Sequence, residues 1–179
     1  MKYYEKVGGD LLFLSPVCQE DAPIYTRWMN DPQVTDGLGN TSFVFSLEKE
    51  QKFLQENMDG YTFAIVRRQD GKLLGNCSIQ EVDFMHQRAE VGIFIGDEED
   101  RGKGYGTAAL GLLIGYAFDT LHLHSLMLRV FDYNERAIRC YEKLGFRRIG
   151  CPREAHWHAG QWHGIVLMDL VQGQKGQGS

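Results

Sequence analysis

No stretch of the chain approaches the roughly 20 consecutive apolar residues of a membrane span, and the opening segment MKYYEKVGGDLLFLS holds no apolar run of signal-peptide length. Nor is there an excess of basic residues. Nineteen lysines and arginines face 24 aspartates and glutamates, a formal net charge of −5, which argues against a nucleic-acid binder that relies on a basic face. That balance is compatible with a cationic substrate such as an amine. The four cysteines (Cys18, Cys77, Cys140 and Cys151) form no C-x-x-C pair, so free thiols in a reducing compartment are the simplest expectation, and with them a cytoplasmic location. Internal repeats and an interdomain linker are also missing. A G-x-x-x-x-G-K-[ST] phosphate loop is nowhere in the string.

What remains is an ordinary globular composition, 43% hydrophobic and 24% charged, in a chain of 179 residues, long enough to bury a core. The pattern predicts a strand over 11–14, a helix from about Glu20 that ends at Asp31-Pro32, irregular chain over 33–45, and a helix from Ser46 to about Met58. Strands follow over 61–67 and 73–82, joined by an Asp70-Gly71 turn, and over 89–95. A helix then runs to about Leu121, a strand spans 125–131, and a short helix from Asn134 stops at Gly145. Two last extended segments, about 146–158 and 161–171, turn at Ala159-Gly160, and residues 172–179 are expected to be a disordered tail. The order βααβββαβαββ implies an α/β fold (α+β mixed), a central mixed and mostly antiparallel sheet flanked by helices, in a single domain of residues 1–171.

The segment AEVGIFIGDEEDRGKGYGT, residues 89–107, is an apolar strand, an acidic loop and a glycine-rich turn that opens onto a helix. Glycines let the backbone come close and take positive φ, and the N–H groups of the first helical turn point outward, so this order suits a phosphate anion. A dinucleotide fingerprint is one reading, because Gly104-Tyr105-Gly106-Thr107-Ala108-Ala109 matches G-x-G-x-x-A and Asp132 closes the next strand, where a ribose-binding acid belongs. That fold needs further strand–helix–strand repeats, and only one helix and a hairpin remain. A glycine-rich loop with no ligand is the bland alternative.

Two strings together resemble the GNAT N-acetyltransferase superfamily. One is Arg101-Gly102-Lys103-Gly104-Tyr105-Gly106, which fits Q/R-x-x-G-x-G/A between a strand and a helix. The other is Asn134-Glu135-Arg136-Ala137-Ile138-Arg139-Cys140-Tyr141-Glu142-Lys143-Leu144-Gly145-Phe146, an asparagine at a helix start, a tyrosine further on and a leucine-glycine-phenylalanine end. The resemblance covers about residues 10–171 and is strongest from 89 to 146. Trp28-Met29-Asn30-Asp31-Pro32 and the Arg153-Glu154-Ala155…Gly160-Gln161-Trp162-His163 hairpin look most like the branch of ribosomal-protein N-terminal and spermidine acetyltransferases. That branch often carries an acid just after the position of His163, where this chain has Gly164.

The resemblance implies acetyl-CoA as cosubstrate and a primary amine, on a small molecule or a protein N-terminus, as acceptor. Its pyrophosphate would lie on residues Arg101, Gly102, Lys103, Gly104, Tyr105, Gly106 and Thr107, with Arg101 and Lys103 adding positive charge. The pantetheine arm would run beside Val91, Ile93, Phe94 and Ile95, with Gly92 easing its approach. Asn134 and Ala137 would meet the cofactor arm, although Asn134 also suits a helix cap. Tyr141 would protonate the departing thiolate, against the alternative of a core tyrosine on an amphipathic helix. Glu90 is the first choice for the base that takes a proton from the ammonium, and an ion-paired acid is its alternative. His156, His158 and His163 alternate on an edge hairpin, which satisfies H-x-H trivially, and no nearby Cys or Asp completes a metal set, so no metal is expected. Trp157, Trp162 and the 35–45 loop either wall the acceptor pocket or pack. No nucleic-acid or membrane partner is expected, and related enzymes are often homodimers. A non-catalytic acyl-CoA sensor is the competing class.

Overall fold

The structure is a computed structural model that describes residues 2–173. Residues 174–179, most of the expected disordered tail, lie outside the described residues, while Gln172 and Gly173 form a turn in which the Gln172 N–H donates to the His124 carbonyl at 2.9 Å. The chain forms two compact units, Met1–Ile79 with Gly92–Tyr116, and Gln80–Val91 with Ala117–Ser179.

In the first unit, β1 (Val7–Gly8), β2 (Leu12–Pro16), β3 (Thr62–Arg67) and the start of β4 (Leu73–Asp83) hydrogen-bond in that order. Both β2–β3 and β3–β4 are antiparallel, from Leu12↔Arg67 to Pro16↔Phe63 and from Thr62↔Ser78 to Val66↔Leu73. β3 is buried along nearly its whole length. Its partners in the core are α1 (Ala22–Met29) and α3 (Leu47–Glu56), through Ala22, Tyr25, Trp28, Met29 and Leu54. Ser46 caps α3 as expected, accepting from the Lys49 N–H at 3.2 Å. Pro32 ends α1 but also begins a short α2 (Pro32–Thr35), because Asp31 accepts the Gln33 N–H and a proline tolerates the first helical position.

The second unit holds the start of β5 (Arg88–Ile95), then β6 (Ser125–Phe131), α5 (Glu135–Lys143), β7 (Arg147–Gly150), β8 (His156–His158), β9 (Gln161–His163) and β10 (Ile165–Val171). Here the strands pair in the order β5-β6-β10-β7. β5 and β6 are parallel, but only from Arg88↔Ser125 to Glu90↔Met127. β6 continues beyond that point along β10 alone, antiparallel from Val171↔Ser125 to Ile165↔Phe131. The expected pair 146–158 and 161–171 is instead four strands. Pro152 interrupts the first segment, Gly164 interrupts the second, and β8–β9 is a separate hairpin turned by Ala159 (φ 49°) and Gly160 (φ 84°).

Between Asp97 and Gly104 the chain makes a short 3-10 turn and then α4 (Tyr105–Gly115), which widens into a π-helical turn over Tyr116–Thr120. The expected helix to Leu121 therefore changes hydrogen bonding at Tyr116.

Candidate active site

The glycine loop is held from beneath by its own unit. Gly96 donates its N–H to the Leu74 carbonyl at 2.8 Å. A β-carbon on Gly96 would lie 2.0 Å from the Trp28 ring, so only glycine fits beneath that buried side chain, itself 1% exposed. Trp28 Nε1 and Arg27 Nη2 both donate to Asp97 Oδ1, at 2.9 and 2.8 Å. Lys72 Nζ reaches Asp97, Glu99 and Asp100 at 3.2, 2.6 and 2.7 Å, and Arg67 reaches the buried Asp100 at 3.0 Å. Burial opposes the charge on Asp97, yet the bonds from Trp28, Lys72 and Arg27 outweigh it and hold that carboxyl below its ordinary value. Donating hydrogen bonds to Asp100 and Glu99 raises the Lys72 ammonium above its ordinary value. The acids ahead of the loop are thus structural ion pairs.

Arg101 differs from its expected part. Its guanidinium donates to the carbonyls of Ile95 (3.2 Å), Gln33 (3.1 Å) and Gly96 (2.5 Å), so its N–H groups brace the loop, while these neutral partners leave its positive charge uncancelled. Lys103 is exposed and makes no ion pair among the described residues. Gly102 and Gly104 take left-handed conformations, φ 76° and 84°, and no atom lies within 4 Å of where either β-carbon would stand. Gly104 is the N-cap of α4, and the N–H groups of Tyr105, Gly106 and Thr107 have no carbonyl four residues back within the helix. An open glycine cradle at the start of α4 with the exposed Lys103 ammonium beside it is a donor set that fits a diphosphate.

Along β5, the Val91 side chain is buried, and Ile93 and Ile95 are partly buried. The Phe94 ring packs edge-on against Trp28 (5.8 Å) and Tyr25 (6.2 Å), so that side chain belongs to the core.

The second unit carries the catalytic candidates. Asn134 Oδ1 accepts the Ala137 N–H at 3.2 Å and starts α5, which leaves its amide NH2 as the group without a partner and consumes the Ala137 amide. Ile138 faces inward, and Glu135 and Arg139 pair at 2.9 Å on the outer face. Tyr141 is half-buried against Phe146, ring centroids 6.1 Å apart, and nothing among the described residues hydrogen-bonds its hydroxyl. Desolvation, with a smaller effect of Cys140, pushes the phenol up to about 12, so it holds its proton at neutral pH.

Glu90 is the correction. Both its oxygens accept from Arg129, at 2.9 and 2.8 Å, and Glu81 stands 3.8 Å from the same guanidinium. With both oxygens on the Arg129 guanidinium, Glu90 is the ion-paired acid that was its alternative reading.

The hairpin is also more specific than its alternation suggested. Trp157 and Trp162 stack edge-on at 5.2 Å and are 57% and 58% exposed. On the other side His156 stacks on Phe131 (4.1 Å) and His158 on Tyr133 (4.6 Å). Asp132 Oδ1 lies 2.8 Å from His163 Nδ1 and Asp132 Oδ2 accepts the Gly164 N–H at 2.6 Å, a pairing that the alternation did not suggest. These residues are 31 and 32 positions apart, and only the β6–β10 register, Phe131↔Ile165, brings them together. In the 35–45 loop, Asn30 holds Phe45 through its carbonyl (2.8 Å) and N–H (3.2 Å), and Lys49 lies 4.0 Å over the Phe45 ring.

The family model of the acetyltransferase (GNAT) domain matches residues 12–147. An uncharacterized N-acetyltransferase p20 of Bacillus licheniformis is 25% identical over 173 residues, 94% of this chain and 97% of that protein. The Escherichia coli K12 spermidine N(1)-acetyltransferase is 37% identical over 105 residues, 59% of this chain and 56% of that protein. The crystal structure of spermidine N-acetyltransferase from Vibrio cholerae in complex with CoA and spermine has a TM-score of 0.83, is 22% identical, and covers 92% of this chain and 97% of that one, a likeness of fold. The chain belongs to the GNAT acetyltransferase family, and its reaction is the acetyl-CoA-dependent N-acetylation of an amine. Among the described residues no helix is long and apolar enough to cross a membrane.

Proposed function

We propose that the acceptor is a small-molecule primary amine and that residues 1–171 work as one catalytic domain. The observation that carries the site assignment is the open cradle at Gly102 and Gly104, two left-handed glycines at the head of α4 with space where side chains would be. Acetyl-CoA supplies an activated acetyl thioester. The amides of residues 102–106 and the Lys103 ammonium hold its diphosphate. Backbone groups of Ile93 and Ile95 align the pantetheine amides, which is supported by the early end of the β5–β6 ladder at Glu90. Asn134 keeps its free amide for the same arm. Tyr141, protonated and without an internal partner, gives its proton to the thiolate as the C–S bond breaks. The relatives that act on spermidine support a polyamine-like acceptor.

Mass spectrometry of products from spermidine, spermine, an amino sugar, an amino acid and a short peptide, each with acetyl-CoA, tests the acceptor. Acetylation of a small amine is expected. Acetylation of the peptide N-terminus alone overturns the acceptor class, and tight acetyl-CoA binding with no product from any amine makes the chain a sensor. Tyr141→Phe should lower turnover about 10²-fold with little change in acetyl-CoA affinity; an unchanged rate would give the proton transfer to water.

A further inference from the structure

Glu90 is ion-paired to Arg129, so a group without such a partner is the better receiver for the proton on the acceptor ammonium. The second unit contains a group built for that task. His163 has a side chain only 12% exposed, its Nδ1 is 2.8 Å from Asp132, and its Nε2 is buried with no hydrogen-bond partner. A carboxylate can only accept, so Nδ1 carries the hydrogen, and in the neutral ring Nε2 presents a bare lone pair. Asp132 is itself fixed: its second oxygen takes the Gly164 N–H, and that bond, ahead of the His163 contact, holds its carboxyl below the ordinary value. A buried acceptor without a donor is costly. An incoming ammonium is a donor that would satisfy it.

The placement agrees. Asp132 follows the last residue of β6, beyond the point where that strand's parallel ladder with β5 ends, and Asn134, two residues on, caps the helix that carries Tyr141. The His163 ring meets Tyr133 edge-on, with centroids 4.7 Å apart, and lies 6.0 Å from the His158 ring, so the imidazole sits in an aromatic cluster. Nε2 is buried, so reaching it requires its surroundings to shift, and His163 lies on the hairpin whose Trp157 and Trp162 are mostly exposed.

We propose that His163, oriented by Asp132, is the proton acceptor for the substrate ammonium. The inference rests on the amine-acetylating role of the chain. Nε2 takes one proton from R–NH3+ and becomes imidazolium, and the freed amine lone pair forms the C–N bond at the acetyl carbon. As the C–S bond breaks, its electron pair stays on sulfur. Tyr141 gives its proton to that sulfur and regains one from the new amide nitrogen. His163 returns its proton to water. The charge is balanced, since one ammonium and one thioester become one amide, one thiol and one released proton. Asp132 is a positioning residue that fixes the tautomer.

The test follows release of CoA thiol with the amine that the wild type acetylates fastest, from about pH 6 to about pH 10, in wild type, His163→Gln and Asp132→Asn. His163→Gln should lose about 10²-fold in kcat/KM near pH 7 and recover toward high pH, where the free amine supplies itself. Asp132→Asn should lose rate without losing shape, because its amide keeps the Gly164 N–H while presenting an N–H to Nδ1, which moves the ring hydrogen to Nε2. Acetyl-CoA affinity and thermal midpoint should stay near wild type in Asp132→Asn, which answers for any folding defect in His163→Gln. The groups facing the ring, Asp132, Tyr133, His156 and His158, are otherwise unchanged. Rates within about twofold of wild type at every pH in both variants overturn the proposal. A wild type that acetylates no amine overturns the parent reading instead.

Discussion

Gly104 separates backbone strain from ligand contact, because its left-handed conformation and its empty surroundings predict different costs for two substitutions. Alanine at φ 84° incurs about 1–2 kcal/mol of steric strain. Nothing lies within 4 Å of the new carbon, so no clash adds to that. For a chain of this size the unfolding midpoint should fall by about 2–8 °C. Aspartate carries the same strain and adds a negative charge at the cradle. Against one phosphate charge at about 5 Å, with an effective dielectric near 20, the repulsion is about 3 kcal/mol. The acetyl-CoA dissociation constant should therefore rise about 10²-fold in Gly104→Asp, and much less in Gly104→Ala. Titration calorimetry reads the affinities directly. Thermal shift gives a second readout, since acetyl-CoA at about 100 times its Kd stabilises the wild type by about 2.7 kcal/mol, which Gly104→Asp should forfeit at the same concentration. Equal affinities for wild type and Gly104→Asp would show that the diphosphate lies elsewhere.

The remaining predictions concern the supports of that loop. Gly96→Ala places a carbon 2.0 Å from the Trp28 ring and should cost about 3 kcal/mol or more, an unfolding midpoint lower by at least about 6 °C by scanning calorimetry; an unchanged midpoint would mean that the ring moves freely. Asp97 has a folded-state carboxyl held below its unfolded value, so its contribution is complete above about pH 4 and is lost as pH falls through the lower folded value. Acid unfolding of Asp97→Asn should lose that part of the pH dependence, and an identical acid limb would refute it.

What was legible in the sequence was local. Asn134 and Ser46 as caps, the Ala159-Gly160 turn and the strand-to-glycine-to-helix order each depend on neighbours a few residues apart, and each stands where the spacing put it. Pro32 misled because a proline before which a helix stops is also a good first residue of the next one, and the side chain of Asp31 decides which. Glu90 and Arg101 misled for another reason. Residue type predicts that a carboxylate can accept and a guanidinium can donate, but the partner is set by registers 39 and 68 residues long. Asp132 with His163 is the same case from the opposite side, two residues without a motif that the pairing of β6 with β10 turns into a unit.

The charge ahead of the cradle presents the same problem at larger scale. Asp97, Glu98, Glu99 and Asp100 directly precede a loop meant for an anion, and uncompensated they would repel it. Lys72 alone contacts three of the four. In Lys72→Met, Arg27 and Trp28 still serve Asp97 and Arg67 still serves Asp100, so the fold is kept while one positive charge is lost. For a separation taken as about 10 Å, with an effective dielectric near 20 and a Debye length near 10 Å, the lost attraction is about 0.6 kcal/mol per phosphate charge. Acetyl-CoA should bind about threefold to tenfold more weakly at physiological salt, with turnover at saturation unchanged, and the deficit should fade as salt rises. A larger deficit that ignores salt would mean that Lys72 shapes the loop, so that the acids are architecture and the cradle's potential is set by Arg101, Lys103 and the helix amides alone.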